Sequence, residues 1–289
     1  MKVLVTGAGG QLGRELIHTA PPAVEVRGVR HAELDIGRRE DTLAAVRRMG
    51  PDVIINAAAY TAVDRAEDEP EVAHAANALG PAHLAEAASE TGARLIHVST
   101  DFVFGGSQCR PYRPEDAPEP LSVYGRSKLA GERHVLDAPC AGLVVRTSWV
   151  YARGGRNFVN TMLRLMAERD EVRVVADQFG APTWARGLAR ALWSLVLGHP
   201  DLRGVLHYCD AGSASWYDFA VAIAEEGRAS GHLERHAVVR PIPTEAYPLP
   251  APRPRFSVLD ASRTWQLLAE QPVHWRVRLR QMFQEPEAR

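Results

Sequence analysis

Tyr124 and Lys128 stand four residues apart in VYGRSKLAGE. On a helix that spacing brings both side chains to one face. A free phenol titrates at about 10 and is a poor acid–base catalyst at neutral pH. A nearby ammonium favours the phenolate and lowers that value. Such a pair can move a proton to or from a carbonyl or alcohol while a nicotinamide moves hydride, and the lysine can also bond the nicotinamide ribose. The spacing by itself is common on solvated helix faces, so its weight comes from its company.

That company begins at the N-terminus. Gly7, Gly10 and Gly13 lie in TGAGGQLG as GxxGxxG, between a strand-like run and a helix-like one. Glycines there permit a tight turn and let the backbone approach a pyrophosphate seated on the helix N-terminus. An acidic residue at the end of the second strand would grip the adenosine ribose. This chain instead has Gly28, Val29, Arg30 and His31. Arg30 suits a 2′-phosphate, favouring NADPH with NADH as the other possibility; a solvated arginine is the bland alternative. Asp35 precedes the next helix, as a cap or as an acceptor for the adenine. Ser99, Thr100 and Asp101 end the fourth strand in HVSTDFVFGG. Ligands in such sheets bind beyond the strand carboxyl ends, where a hydroxyl can bond a substrate carbonyl. Thr100 is the favoured third catalytic residue, Ser99 its competitor, and a turn or cap role the structural alternative.

The elements that must position these groups alternate. Strand-like runs fall at 2–6, 24–29, 52–56, 94–99 and 143–147. Helical patterns fall at 11–19, 40–49, 71–90 (broken near Gly80 and Pro81) and 123–136. This order means a parallel sheet with helices on both faces. Unbroken apolarity in KVLV and VII suits strands covered on both sides. Further on, 157–168, 186–197 and 216–229 read as helices and 205–208 as a strand. The stretch 240–255 holds six prolines and is expected to form no regular element. The expected fold class is α/β: a Rossmann-like, doubly wound parallel sheet with a smaller mixed α/β substrate-binding lobe. Residues 1–150 would form the dinucleotide-binding domain, with a strand near 205–210 returning to it, and 151–289 the lobe.

The 289 residues are 46% hydrophobic and 24% charged, values of an ordinary globular chain with a sizeable core. Lys and Arg number 34 against 35 Asp and Glu, a formal net charge of −1. No basic excess points to nucleic acid. Cys109, Cys140 and Cys209 are widely spaced, which suits neither a disulfide framework nor a zinc knuckle. The N-terminal apolar run is too short for a signal peptide, and no stretch is long enough to span a bilayer. A soluble cytoplasmic protein with no membrane partner is expected.

TGAGGQLG, DVIINAAAYTAVDRAE, STDFVFGG, VYGRSKLAGE, RTSWVY and DQFGAPT follow one another in this order. Together they resemble the extended short-chain dehydrogenase/reductases and, more narrowly, the dTDP-4-dehydrorhamnose reductase family, over nearly the whole chain. The glycine loop and YxxxK mark only the superfamily; the other motifs mark the narrower family. The resemblance implies reduction of the C4 keto group of dTDP-4-dehydro-6-deoxy-L-mannose by NAD(P)H. It implies Tyr124 as proton donor, Lys128 as its partner and Thr100 as the hydroxyl orienting the ketone. Gly10, Gln11 and Leu12 would lie along the pyrophosphate, Asp35 and Ile36 near the adenine, and Ala59, Tyr60 and Thr61 along the cofactor. Asp101 and Trp149 would contact the sugar, though Trp149 could equally be a core aromatic. Asn157 and Arg253 would face the nucleotide part of the substrate. Some relatives dimerise around magnesium held by acidic side chains; Glu15 matches one such position, but Arg186 stands where another carboxylate is expected. No metal is therefore expected, and monomer and homodimer both stay open. A related dTDP-deoxysugar ketoreductase of a secondary pathway, and a non-catalytic NADP-binding regulatory subunit of the methionine adenosyltransferase type, are the competing readings.

Overall fold

In the first strand Val3 and Val5 turn to one face and Leu4 to the other, and all three are buried. The strand is covered twice, as continuous apolarity requires. The computed structural model describes residues 1–140 and 142–285. The chain runs β1 (Lys2–Thr6), α1 (Gln11–His18), β2 (Glu25–Val29), α2 (Arg39–Met49) and β3 (Val53–Asn56). Two short helices, α3 (Arg65–Asp68) and α4 (Pro70–His74), pass through a π-turn at Ala75–Leu79 into α5 (Gly80–Thr91). Next come β4 (Arg94–Thr100), α6 (Val123–Asp137), β5 (Gly142–Thr147), β6 (Val150–Tyr151) and α7 (Phe158–Glu168). Then follow β7 (Glu171–Val175), β8 (Phe179–Gly180), β9 (Thr183–Trp184), α8 (Ala185–Gly198) and β10 (Gly204–His207). The chain closes with β11 (Ala214–Ser215), α9 (Trp216–Ala229), β12 (Val238–Ile242), α10 (Ser262–Leu267) and α11 (Trp275–Gln284).

Six strands form one parallel sheet in the order β2-β1-β3-β4-β5-β10. The order reverses between β1 and β3, which opens a crevice at their carboxyl ends. Leu12 and Leu16 of α1 cover one face together with Leu188, Leu192 and Trp193 of α8. Leu43 and Val46 of α2, Leu84 and Ala88 of α5 and Val135 of α6 cover the other. Besides β10, helix α8 therefore belongs with the sheet. A separate core gathers Val159 and Met162 of α7, Val172 of β7, Phe219 and Ile223 of α9, and Leu279 and Phe283 of α11.

Three local features depart from expectation. The helical pattern at 71–90 is not broken at Gly80 and Pro81 but widened just before them, at the π-turn. Pro81 has no N–H for the carbonyl of Asn77, one turn back, so the turn loosens there. Helix α6 exploits the gap, since a Cβ on Gly131 would lie 2.1 Å from that carbonyl. Second, the proline-rich stretch is not wholly irregular. Its first residues complete β12, which pairs in parallel with β7, Pro241 standing opposite Val174. The pair is only two strands wide, and a strand at an edge tolerates a residue with no N–H to donate. Third, β7, α10 and α11 were not anticipated, although the alternation in EVRVV is a strand signal. Among the described residues no helix is long and apolar enough to cross a membrane, and Cys109, Cys140 and Cys209 are free.

Candidate active site

Each glycine of the loop between β1 and α1 does a different job. Gly7 sits at φ +71°, and a Cβ there would meet the backbone of Ala57 and Ala58 at 2.6–2.7 Å. A Cβ on Gly13 would lie 2.2 Å from the carbonyl oxygen of Gly7, so only glycine lets α1 pack this close. Gly10 meets only that same oxygen, at 3.2 Å, and is exposed toward the crevice. It starts α1 with no side chain capping the first-turn N–H groups. Donors at a helix N-terminus beside bare glycine backbone suit a pyrophosphate. Arg30 follows β2, and its side chain lies along Gly9, 3.6 Å from where a Cβ would be. The aliphatic stem of Arg30 thus runs along the rim of the loop. Asp35 accepts from the N–H of Gly37. The Ile36 side chain is buried in the core against Gly80, and its carbonyl bonds Thr42 and His83. Leu12 likewise sends its side chain into the core, so only backbone of these two can face a nucleotide. Ala59 and Thr61 are exposed after β3, and Tyr60 bonds Glu69 through its hydroxyl.

Tyr124 and Lys128 both lie on the buried face of α6. Ser122 caps that helix, accepting from the N–H of Gly125. The Tyr124 ring sits among Ala66 and Ala73, edge-on to Phe102. Burial pushes its phenol up to about 12, with the Thr100 hydroxyl pulling the other way and the Asp101 carboxylate adding to the rise. Lys128 takes no part in that balance. Its Nζ turns to β4 instead, donating to the carbonyl of Val98 at 2.8 Å and standing 3.3 Å from Nε2 of His97. The expected ammonium–phenol pairing is therefore not made here: the long side chain finds a fixed acceptor in the strand below. Burial lowers Lys128 to about 8, offset in part by Glu132.

Beneath the lysine lies a buried polar chain that the sequence reading missed. Asn56 receives the Thr6 hydroxyl at 2.7 Å and the N–H of Ala58 at 3.1 Å on its oxygen, and its nitrogen lies 3.0 Å from Nδ1 of His97. Asn77, on the π-turn, clamps Tyr60 through both backbone groups and reaches Ser127 on α6. A buried amide ending β3 and another on a helical stretch were the available signal.

At the end of β4, Thr100 bonds both Asp101 and the N–H of Phe102. The Ser99 hydroxyl is buried with no partner among the described residues. Asp101 is buried, accepts from Ser257, and is pushed up to about 7 by burial against the pull of its hydrogen bonds. Trp149 adopts φ +45°, with its ring stacked 3.4 Å from that of Trp216. Gly180 lies under the indole, where a Cβ would come within 2.4 Å. Trp216 was not anticipated. Asn157 caps α7 and donates to the Gln11 side chain at 2.7 Å, tying the second core to the glycine loop. Arg253 makes a two-pronged ion pair with Asp64 rather than standing open. Arg186 bonds Glu15 at 2.7 Å and also Glu285, so a guanidinium occupies the space between those carboxylates.

A glycine cradle at the switch point of a parallel sheet, followed by a buried Tyr-x-x-x-Lys beside a strand-end hydroxyl, defines a nucleotide-dependent oxidoreductase of the short-chain dehydrogenase/reductase class. Residues 1–287 match the family described as RmlD substrate binding domain. The chain is 42% identical to dTDP-4-dehydrorhamnose reductase of Escherichia coli K12, covering 99% of this chain and 98% of that one. It is 41% identical to the spore coat polysaccharide biosynthesis protein SpsK of Bacillus subtilis 168, covering 98% and 97%. A crystal structure of dTDP-4-dehydrorhamnose reductase from Bacillus anthracis Ames, in complex with NADP, superposes with a TM-score of 0.91 at 36% identity over 98% of each chain. The chain belongs to the dTDP-4-dehydrorhamnose reductase family.

Proposed function

We propose that this protein reduces the C4 keto group of dTDP-4-dehydro-6-deoxy-L-mannose with NADPH, giving dTDP-L-rhamnose. The observation that carries the reading is the buried Tyr124 phenol beside the Thr100 hydroxyl, next to a crevice built for a dinucleotide. The cofactor, when bound, supplies the hydride; NADH is the alternative donor. Gly10 leaves backbone space for the pyrophosphate, Gly7 and Gly13 letting the turn and α1 pack tightly around it, with Gln11 and Leu12 offering N–H groups. Tyr124 keeps its proton at neutral pH and gives it to the carbonyl oxygen as that oxygen gains charge. Thr100 donates a hydrogen bond to the same oxygen. Lys128 holds the ribose. Asp101, Trp149, Asn157 and Arg253 form the sugar-nucleotide side, Arg253 exchanging its Asp64 partner for a phosphate. Residues 1–150, with α8 and β10, form the dinucleotide-binding part, and the rest of 151–289 the substrate lobe. The cytoplasm is the compartment, and the assembly is a monomer or homodimer.

The test supplies the 4-keto sugar from dTDP-glucose through the upstream enzymes and follows NADPH oxidation, with mass spectrometry and NMR of the product. Sugar-dependent oxidation giving the rhamno configuration at C4 supports the reading. The opposite configuration would favour a secondary-pathway ketoreductase. Tight binding of a protein partner with no turnover would favour a regulatory subunit.

Arg30 carries a separate expectation. Arg30→Asp should lower the affinity for NADPH relative to NADH by roughly 10- to 100-fold, the worth of one or two charge-assisted hydrogen bonds. Competitive titrations of both nucleotides measure it. An unchanged ratio removes Arg30 from cofactor recognition.

A further inference from the structure

We propose that His97 is a positioning residue that favours the neutral amine of Lys128 until the cofactor binds, so that above neutral pH NADPH binding draws a proton onto Lys128. The inference rests on the cofactor reading above and adds a step that the reaction itself does not require.

Ala58 fixes the orientation of the Asn56 amide. Its backbone N–H can only donate, so the Asn56 atom facing it at 3.1 Å is oxygen. The Thr6 hydroxyl meets the same oxygen. The Asn56 nitrogen is left to donate to Nδ1 of His97, 3.0 Å away. A ring nitrogen that accepts carries no proton, so the neutral imidazole bears its proton on Nε2. That Nε2 stands 3.3 Å from Nζ of Lys128, and both side chains are almost wholly buried. An ammonium there would set two donors against each other with no water to separate them. A neutral amine resolves the conflict, accepting from Nε2–H and still donating to the carbonyl of Val98.

The charges nearby agree. His97 faces Lys128 from β4, and Asp101 follows that strand. Tyr124 and Glu132 lie on α6 with the lysine. Arg146 of β5 takes both oxygens of Glu132. The Glu132 carboxylate that raises the lysine is therefore already paired. From β3 and the π-turn come the neutral amides Asn56 and Asn77. Burial lowers the Lys128 ammonium to about 8, and burial followed by Lys128 itself holds the His97 imidazolium well below its ordinary value.

The step is one protonation. The Nζ lone pair gives up the Nε2–H hydrogen bond and takes a proton from solvent. No electrons leave the lysine and no bond to carbon changes.

Calorimetry of NADPH binding to the full chain, in buffers of different ionisation heat, measures the protons taken up. At about pH 9, above the Lys128 value, uptake should approach one per site, and it should fall toward zero below about pH 7. Asn56→Asp presents only acceptors to Nδ1, turns the imidazole to its other tautomer and faces a lone pair to Lys128. The ammonium is then stable before binding, and uptake at pH 9 should vanish. Wild-type binding at about pH 9 without proton uptake, or undiminished uptake in Asn56→Asp, overturns the proposal. Long-range proton–nitrogen NMR of the histidine-labelled, cofactor-free protein gives an independent reading, with the His97 signal identified by its loss in His97→Gln. The Nε2–H tautomer is expected; the Nδ1–H tautomer overturns the proposal even if Asn56→Asp does not fold. Absence of any NADPH binding heat would count against the cofactor reading, and the tautomer would then decide the rest.

Discussion

Tyr124→Phe is expected to lower kcat for the ketone by about 10²- to 10⁴-fold, the usual worth of a positioned general acid, while leaving NADPH affinity close to wild type. The ring occupies an apolar niche against Ala66, Ala73 and Phe102, which Phe fills equally well. The fold therefore survives, and the loss falls on one hydroxyl. That hydroxyl holds its proton firmly, since burial raises its pKa to about 12. The reduction direction needs a proton donor, and a phenol kept protonated is the right species. The loss should appear in kcat and kcat/KM together, the pattern of an interaction made in the transition state. Single-turnover rates and nucleotide titration on the same preparation measure both. Wild-type turnover in Tyr124→Phe would remove it as the proton source.

Lys128→Met is expected to damage two quantities at once. The rate should fall by about 10²- to 10³-fold, and NADPH should bind about tenfold more weakly, or about 1.4 kcal/mol. Methionine fills the buried channel but removes the donor to the carbonyl of Val98 and the contact at Nε2 of His97. Stability carries a second signature. In the folded chain Lys128 titrates at about 8 against 10.5 when free. Between those values the unfolded chain binds the extra proton, so this residue makes stability rise with pH across that window. Lys128→Met should flatten the rise in denaturant unfolding measured at pH values spanning it. An unchanged slope would mean that burial does not perturb the lysine.

Much of the sheet was readable because KVLV and VII admit one environment, apolar on both sides. The glycine loop was readable because its context, strand before and helix after, is local. The direction of Lys128 was not. Spacing assigns a helix face, but the end of a long side chain goes where an acceptor lies, and Val98 is thirty residues away. Asn56 and His97 were passed over for a similar reason: a polar residue ending a strand, or a histidine inside one, says little until its partner on another strand is known. Ile36 and Leu12 show the converse limit: their side chains belong to the core, so only backbone is left for a nucleotide. The pairing of β7 with β12 stayed hidden because Pro241 argues against a strand anywhere but an edge.

The indole of Trp149 lies between the ring of Trp216 and the bare backbone of Gly180, on a main chain at φ +45°. Enlarging Gly180 would evict the indole, and removing either ring would take away the stack that packs this unusual backbone angle. Three positions distant along the chain can thus drift only together. Among descendants of this gene they should be inherited as a unit, with single exchanges rare and joint replacements the only open route.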